Sequence, residues 1–446
     1  MIQAFRNKKL IPFAAFLIIF TVAWAAGQTG VPVEDGGEFL TVARLGGVNH
    51  PPGLPLLGQL CRISWIFFGP HGLRILFALF AATALTLLGG LRSIGSFILS
   101  LALLLLPAFH GRLLMWDAYS PLFLIFALAL LRKPGLCLEG GYLTGLALAV
   151  HPQGILLPIL MRWKRPRPLQ FLSGLVLGLS LYLALPISSG AGSIMDWGST
   201  GTVTNFLKQV TAGGYREVYG ASMGSLSLTS LMRYLGTIWS MLWPVLLLPV
   251  MVGGAVVFRD EKWLCRRLSL LLLADLVFVI VINPMAAGTT QTAILSLLVV
   301  TVLAFKGLKT IAQLNCKAGL ALAILVLATA VLTFQPLKDQ TEEVEDLFAQ
   351  APLNSVLYIS SNDLLYGGWT LKYAHDRRPD LVLLSTGNFA GWFEDMAVSF
   401  NPDIDLSAGV LDVGDYTMSR EVLAQLLIQA AIEDNPQRTI YLIERP

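Results

Sequence analysis

From residue 10 to residue 335, apolar runs recur at about 17–25 residues, the length a helix needs to cross a hydrocarbon layer. That pattern leaves little material for a water-facing surface. Charged residues make up 13% of the chain, whereas soluble domains carry about 25%. Spans are expected near 10–26, 53–69, 73–90, 94–109, 113–131, 141–161, 169–187, 238–258, 268–284, 290–305 and 318–335, about eleven by the length criterion.

The net charge of +3 says less than the placement of the charges. Arg162, Lys164, Arg165 and Arg167 lie between two apolar runs, a pattern of cytoplasmic loops rather than of a nucleic-acid patch. The same rule puts the N-terminus, 259–267 and 306–317 inside. Segments 27–52, 188–237 and everything after about 336 then lie outside. Arg6, Lys8 and Lys9 precede the first run, which reads as an uncleaved helix; a signal peptide cut near Ala23-Trp24-Ala25 is the alternative. Cys61, Cys137, Cys265 and Cys316 are scattered, with neither a disulfide framework nor metal-binding spacing.

The tail has a different texture. Residues 355–360 (SVLYIS) and 380–385 (DLVLLS) are strand-like, with helical stretches between and after them, including 419–433. The expected fold class is therefore a mainly α, polytopic membrane protein with a small C-terminal α/β extramembrane domain. Its boundaries fall at 1–336 for the transmembrane domain and 337–446 for the soluble domain on the outer face.

Between the first two runs lies EDGGEFLTVARLGGVNHPPGLPLL, Glu34 to Leu57. Asp35 and Glu38 have the spacing of a helix-starting box, in which Asp35 caps the Glu38 amide and Glu38 reaches back. The helix is expected to stop at Gly46-Gly47. Along a membrane surface, Phe39, Leu40 and Val42 would dip into lipid while the carboxylates face the headgroups. Carboxylates held there are costly unless they handle a proton, a cation or a ligand. Capping and chemistry both remain open for this pair, and His50 is either a lone interfacial hydrogen-bonder or part of the same pocket.

The same stretch resembles the signature of the transmembrane protein O-mannosyltransferase-like family, assigned to the GT-C superfamily of membrane glycosyltransferases. Residues 145–158, with His151, are similar to a further span of that family. FLKQVTAGGYREVYG (206–220) is similar to one of its loops. Phe206, Tyr215 and Arg216 match there, while Gln209 and Gly214 stand where the family has histidine and glutamine. Asn354–Leu384 is similar to its C-terminal module.

The resemblance implies a GT-C-like fold and transfer of a sugar from a polyprenyl-phosphate-linked donor to an acceptor hydroxyl on a protein, glycan or lipid. It places the catalytic carboxylate at Asp35, just after the first span. Such chemistry needs one base and one cation on the departing phosphate. Asp35 is expected as base, with Glu38 orienting it, holding the acceptor or binding a divalent cation such as Mg or Mn. Asp35 and Glu38 are the ligands if a metal is bound.

Arg216 is the expected phosphate clamp, with His50, His151 and Tyr215 as further donor-binding candidates. Arg44 and Lys208 are in reserve. Asp117 is either a second site carboxylate or an interior partner for Arg112. Trp197, Tyr215 and Tyr219 are candidates for stacking on sugar faces, and Gly213-Gly214 for a hinge. The partners expected are the lipid donor, the acceptor and the bilayer, with no nucleic acid. The location expected is a bacterial inner membrane, multi-pass, with the site on its outer face. A polytopic transporter is the main rival; the absence of internal repeats and the clustering of carboxylates in a loop weigh against it.

Overall fold

Proline and glycine set several helix ends: Pro55, Pro107 and Pro168 open helices, and Gly46 and Gly69 close them. In a computed structural model of the chain, residues 10–91, 93–163, 166–213, 228–242, 244–282, 293–385, 404, 428–429 and 431–443 are described. The described residues are mainly helical. Among the described residues, four helices are long and apolar enough to cross a membrane: Pro55–Gly89, Pro168–Gly190, Ile294–Leu314 and Cys316–Thr333. Two bent pairs among the described residues bring that number to six if each is one span: Ile94–Leu105 with Pro107–Leu114, at 79°, and Leu228–Leu242 with Leu247–Asp260, at 99°.

That differs from a reading of eleven spans because length in apolar residues is not length in helix. Leu106, ahead of Pro107, is extended and breaks the run at 94–109. His151 is likewise extended ahead of Pro152, so the run at 141–161 becomes the helix Leu138–Leu148 and a 3-10 segment, Pro152–Leu160.

The chain divides into two compact units. The first holds residues 1–27, 74–180 and 222–337. Its helices meet through small residues. Gly141 and Gly145 face Gly174 and Gly178 on the helix Pro168–Leu179, and a Cβ on Gly145 would stand 2.6 Å from the Leu175 carbonyl oxygen. This reciprocal G-x-x-x-G pairing lets two backbones touch where lipid supplies no hydrophobic drive. Gly253 and Gly307 do the same for the helices Leu247–Asp260 and Ile294–Leu314.

A fully buried carboxylate, Asp275, sits in this unit. It accepts from the Ser296 N–H at 3.0 Å and Oγ at 2.6 Å, and from Gln153 Nε2 at 3.1 Å. Ala293, the residue ahead of the helix Ile294–Leu314, has no side chain able to cap it. Asp275 supplies that cap from a neighbouring helix, which gives an acid inside an apolar run a structural role.

The second unit holds residues 28–73, 181–221 and 338–446. The tail thus shares its unit with the stretch around Asp35, a different partition from a cut near 336. Three parallel strands, β1 (Val356–Ile359), β2 (Val382–Leu384) and β3 (Ile440–Ile443), lie in the order β2-β1-β3. Val356 is opposite Val382 on one side and Ile440 on the other. The helix Asn362–Trp369 lies on the crossover from β1 to β2. β1 and β2 are buried throughout, as their unbroken apolar sequence requires of a parallel sheet. Of the helix expected at 419–433, only 428–429 and 431–433 are among the described residues.

Candidate active site

The site is assembled within the second unit. Its first element is the helix Gly36–Leu45, and Asp35 is the residue ahead of it, as expected. The capping box does not form, since the Asp35 side chain caps no backbone amide. The stop occurs where expected: Gly46 takes φ +79° and its N–H returns to the Val42 carbonyl oxygen at 2.7 Å. Arg62 closes the same end, donating to the carbonyl oxygens of Ala43 (2.9 Å) and Arg44.

This helix does not lie on lipid. Phe39, Leu40 and Val42 are at most 2% exposed, covered by protein. The apolar face that suggested a membrane surface is satisfied instead by packing on the tail and on the helix Pro55–Phe68.

Glu38, 0% exposed, points inward to His50. Its Oε1 accepts the His50 backbone N–H at 2.6 Å, and its Oε2 lies 2.6 Å from the His50 Nδ1. The other ring nitrogen, Nε2, is 3.8 Å from Asp35 Oδ2. The cluster is graded in exposure, with the side chains of Asp35, His50 and Glu38 at 37%, 15% and 0%. Burial pushes the Glu38 carboxyl above its ordinary range, opposed by the facing imidazole and assisted by the nearby Asp35 charge.

Residues 193–210 hold His50 from behind. Val48 N–H donates to the Met195 carbonyl oxygen at 2.8 Å, and Gln209 Nε2 to the Asn49 carbonyl oxygen at 2.8 Å. Gln209 is thus a buried brace for the residue next to His50. Trp197 is 0% exposed, with its ring edge-on to His50 at 6.2 Å between centroids. It is a wall of the site and presents no face for a sugar, contrary to the stacking role expected.

The remaining candidates are placed as follows. Arg44 pairs with Asp376 at 3.3 Å and lies over Trp65. Lys208 is on the helix Val203–Val210. His151 belongs to the first unit, where its Nδ1 accepts from the Gln153 N–H at 3.2 Å and its ring packs 5.0 Å from Tyr119. Asp117, in the same unit, is buried and accepts the Ala118 N–H. Tyr215, Arg216, Tyr219 and Gly214 lie outside the described residues. The four cysteines are free thiols.

Asp35, Glu38 and His50 each offer a ligand atom within 4.8 Å of the others, so a divalent ion is worth testing against their geometry. As they are placed, Glu38 is engaged at both oxygens: Oε1 accepts the His50 backbone N–H and Oε2 faces Nδ1. An ion such as Mg²⁺, which keeps several waters and takes one or two carboxylates, would meet Asp35 as its open carboxylate. The arrangement is a carboxylate–imidazole–carboxylate row, hydrogen-bonded at Glu38 and 3.8 Å apart at Asp35. Its buried end fixes the ring, and its open end presents a carboxylate to solvent.

Sequence reasoning missed Asp275 and Asp363. The first was visible as a lone acid inside an apolar run. The second carried no local signal, since its partner lies 329 positions away. No known protein family, no curated protein and no solved structure matches this chain.

Proposed function

We propose that this protein is a membrane glycosyltransferase that moves a sugar from a polyprenyl-phosphate-linked donor to an acceptor hydroxyl at the outer face. One observation carries the reading: Asp35, in the first loop after the first apolar helix, is the open end of a row of side chains whose buried end is Glu38. A reachable carboxylate is what deprotonation of an acceptor hydroxyl requires.

Asp35 takes the acceptor proton as the acceptor oxygen bonds to the anomeric carbon. The bond from that carbon to the phosphate oxygen breaks, and polyprenyl phosphate leaves with the electron pair. Glu38 reaches no acceptor; it orients His50. His50 faces Asp35 across 3.8 Å, and Arg216 supplies a bidentate clamp on the departing phosphate. The finer placement belongs to the same proposal. It comprises about eleven crossings, from the lengths of the apolar runs, a C-terminal α/β domain on the outer face, from the distribution of basic loops, and a bacterial inner membrane, from the short loops and the scattered cysteines.

The test is turnover of radiolabelled polyprenyl-phosphate sugars by the full chain in nanodiscs, with membrane extract as acceptor, comparing wild type with Asp35→Asn. Transfer by wild type alone is expected. Equal transfer by Asp35→Asn at matched protein level removes Asp35 as base. No turnover of any donor discards the enzyme reading in favour of reconstituted transport assays.

A further inference from the structure

Between Val31 and Gly37 the chain is fastened repeatedly to residues 339–370. The Val31 N–H donates to Asp339 Oδ1 (3.1 Å) and Thr341 Oγ1 (2.9 Å). Gln340, 2% exposed, donates its N–H to the Val31 carbonyl oxygen (3.0 Å) and its Nε2 to the carbonyl oxygens of Pro32 and Asp363 (2.7 Å each). The Glu34 N–H donates to Asp363 Oδ1 at 2.8 Å, and Thr370 Oγ1 to the Gly37 carbonyl oxygen at 3.2 Å.

Glu34 is the residue that most needs holding. Its φ of +54° lies in the left-handed region, which a side chain with a β-carbon enters at a cost of about 1–2 kcal/mol. That conformation aims the next residue, Asp35, toward His50. Asp363 stands in the first turn of the helix after β1, at the carboxyl end of a parallel strand, where α/β sheets present their ligand-binding groups. In this chain the same end grips another part of the molecule.

We propose that Asp363 is a positioning residue for Asp35. By accepting the Glu34 N–H it fixes the left-handed turn that sets the base against His50, and the tail thereby serves as a clamp on the acidic loop. The proposal rests on the reading of Asp35 as a base, and it makes the tail part of the active-site framework rather than an acceptor-binding appendage. The Asp363 charge is dispensable, and its acceptor oxygen is what the turn uses.

The experiment compares wild type, Asp363→Ala and Asp363→Asn as full chains in nanodiscs, by transfer kinetics and by amide hydrogen exchange over 34–39. Asp363→Ala is expected to lower kcat on the order of 10- to 100-fold with donor KM unchanged, and to speed exchange over 34–39. Asp363→Asn, which keeps the oxygen, is expected to restore both. An Asp363→Ala variant with wild-type kcat and exchange overturns the proposal, as does an Asp363→Asn variant as impaired as alanine. If wild type transfers no sugar, the glycosyltransferase reading fails, and exchange over 34–39 alone decides the clamp. If Asp363→Ala does not fold, Thr370→Val, of nearly equal volume, replaces it. Faster exchange over 34–39 in that variant supports the clamp, and unchanged exchange overturns it.

Discussion

Gly37 lies against Tyr366 with no room for a side chain between them. A β-carbon on residue 37 would stand 2.6 Å from the Tyr366 carbonyl oxygen and 2.9 Å from Thr370 Oγ1. The first of these neighbours is backbone, which cannot swing aside. Gly37→Ala is therefore expected to push the helix Gly36–Leu45 off the tail. The expected cost is about 1–3 kcal/mol, as for an overpacked core, with transfer reduced as well. Thermal unfolding of the purified variant checks the first effect; an unchanged midpoint would show that the contact yields.

The Glu38–His50 pair predicts a split between two substitutions. Glu38→Ala removes the carboxylate that accepts from the half-buried His50, at about 1–3 kcal/mol for each hydrogen bond lost. Glu38→Gln keeps one oxygen as acceptor and removes the charge. The alanine variant should unfold earlier than the glutamine variant, while both lose transfer because the imidazole is no longer set against Asp35. Chemical denaturation ranks the stabilities, and a glutamine variant with full turnover would show that the Glu38 charge is not used.

Chelation offers a third check. With Glu38 and His50 engaged with each other, transfer should survive EDTA at millimolar concentration. A loss restored by Mg²⁺ or Mn²⁺ and not by monovalent salt would mean that Asp35, His50 and Glu38 rearrange around a cation.

In the tail, Arg378 donates to Asp380 at 2.9 Å through both Nε and NH2, holding its carboxyl down to about 2. A carboxyl with a lowered folded-state pKa binds fewer protons folded than unfolded. Its contribution is present above the ordinary carboxylate range, near 4, and is lost as pH falls toward 2. The stability gap between wild type and Asp380→Asn should accordingly be open at pH 7 and close between about pH 4 and 2. The pair is partly exposed, so the gap is small and shrinks in salt. Unfolding midpoints of the two proteins across that range measure it; a gap independent of pH would assign the effect to packing.

The acidic loop shows how much was legible in advance. The helix beginning after Asp35 and its stop at Gly46 were readable, because caps and left-handed glycines depend on neighbours a few residues away. The closeness of Asp35, Glu38 and His50 was partly readable from their crowding in one loop. The direction taken by Glu38 was not. The capping spacing pointed it back at its own helix end, whereas the folded chain buries it against His50. Phe39 and Val42 were readable as an apolar face, but whether lipid or protein covers such a face is not a property of the face.

The strands divide in the same way. β1 and β2 stand out as short apolar runs, whereas β3, in TIYLI near the C-terminus, went unread because a four-residue strand is weak evidence on its own. It becomes a strand by pairing with Val356–Ile359.

By itself, then, the sequence determined the apolar run lengths, the breaks at proline and glycine, and the first loop as the place where chemistry-bearing residues gather. All of these follow from hydration and local backbone sterics. Only the tertiary structure decided that Asp35 is open and Glu38 closed, that Asp275 caps a helix other than its own, and that residues 339–370 hold the turn before Asp35. Those outcomes depend on hydrogen bonds and contacts between residues up to more than 300 positions apart. Their free energy exists only once the chain has brought both partners together.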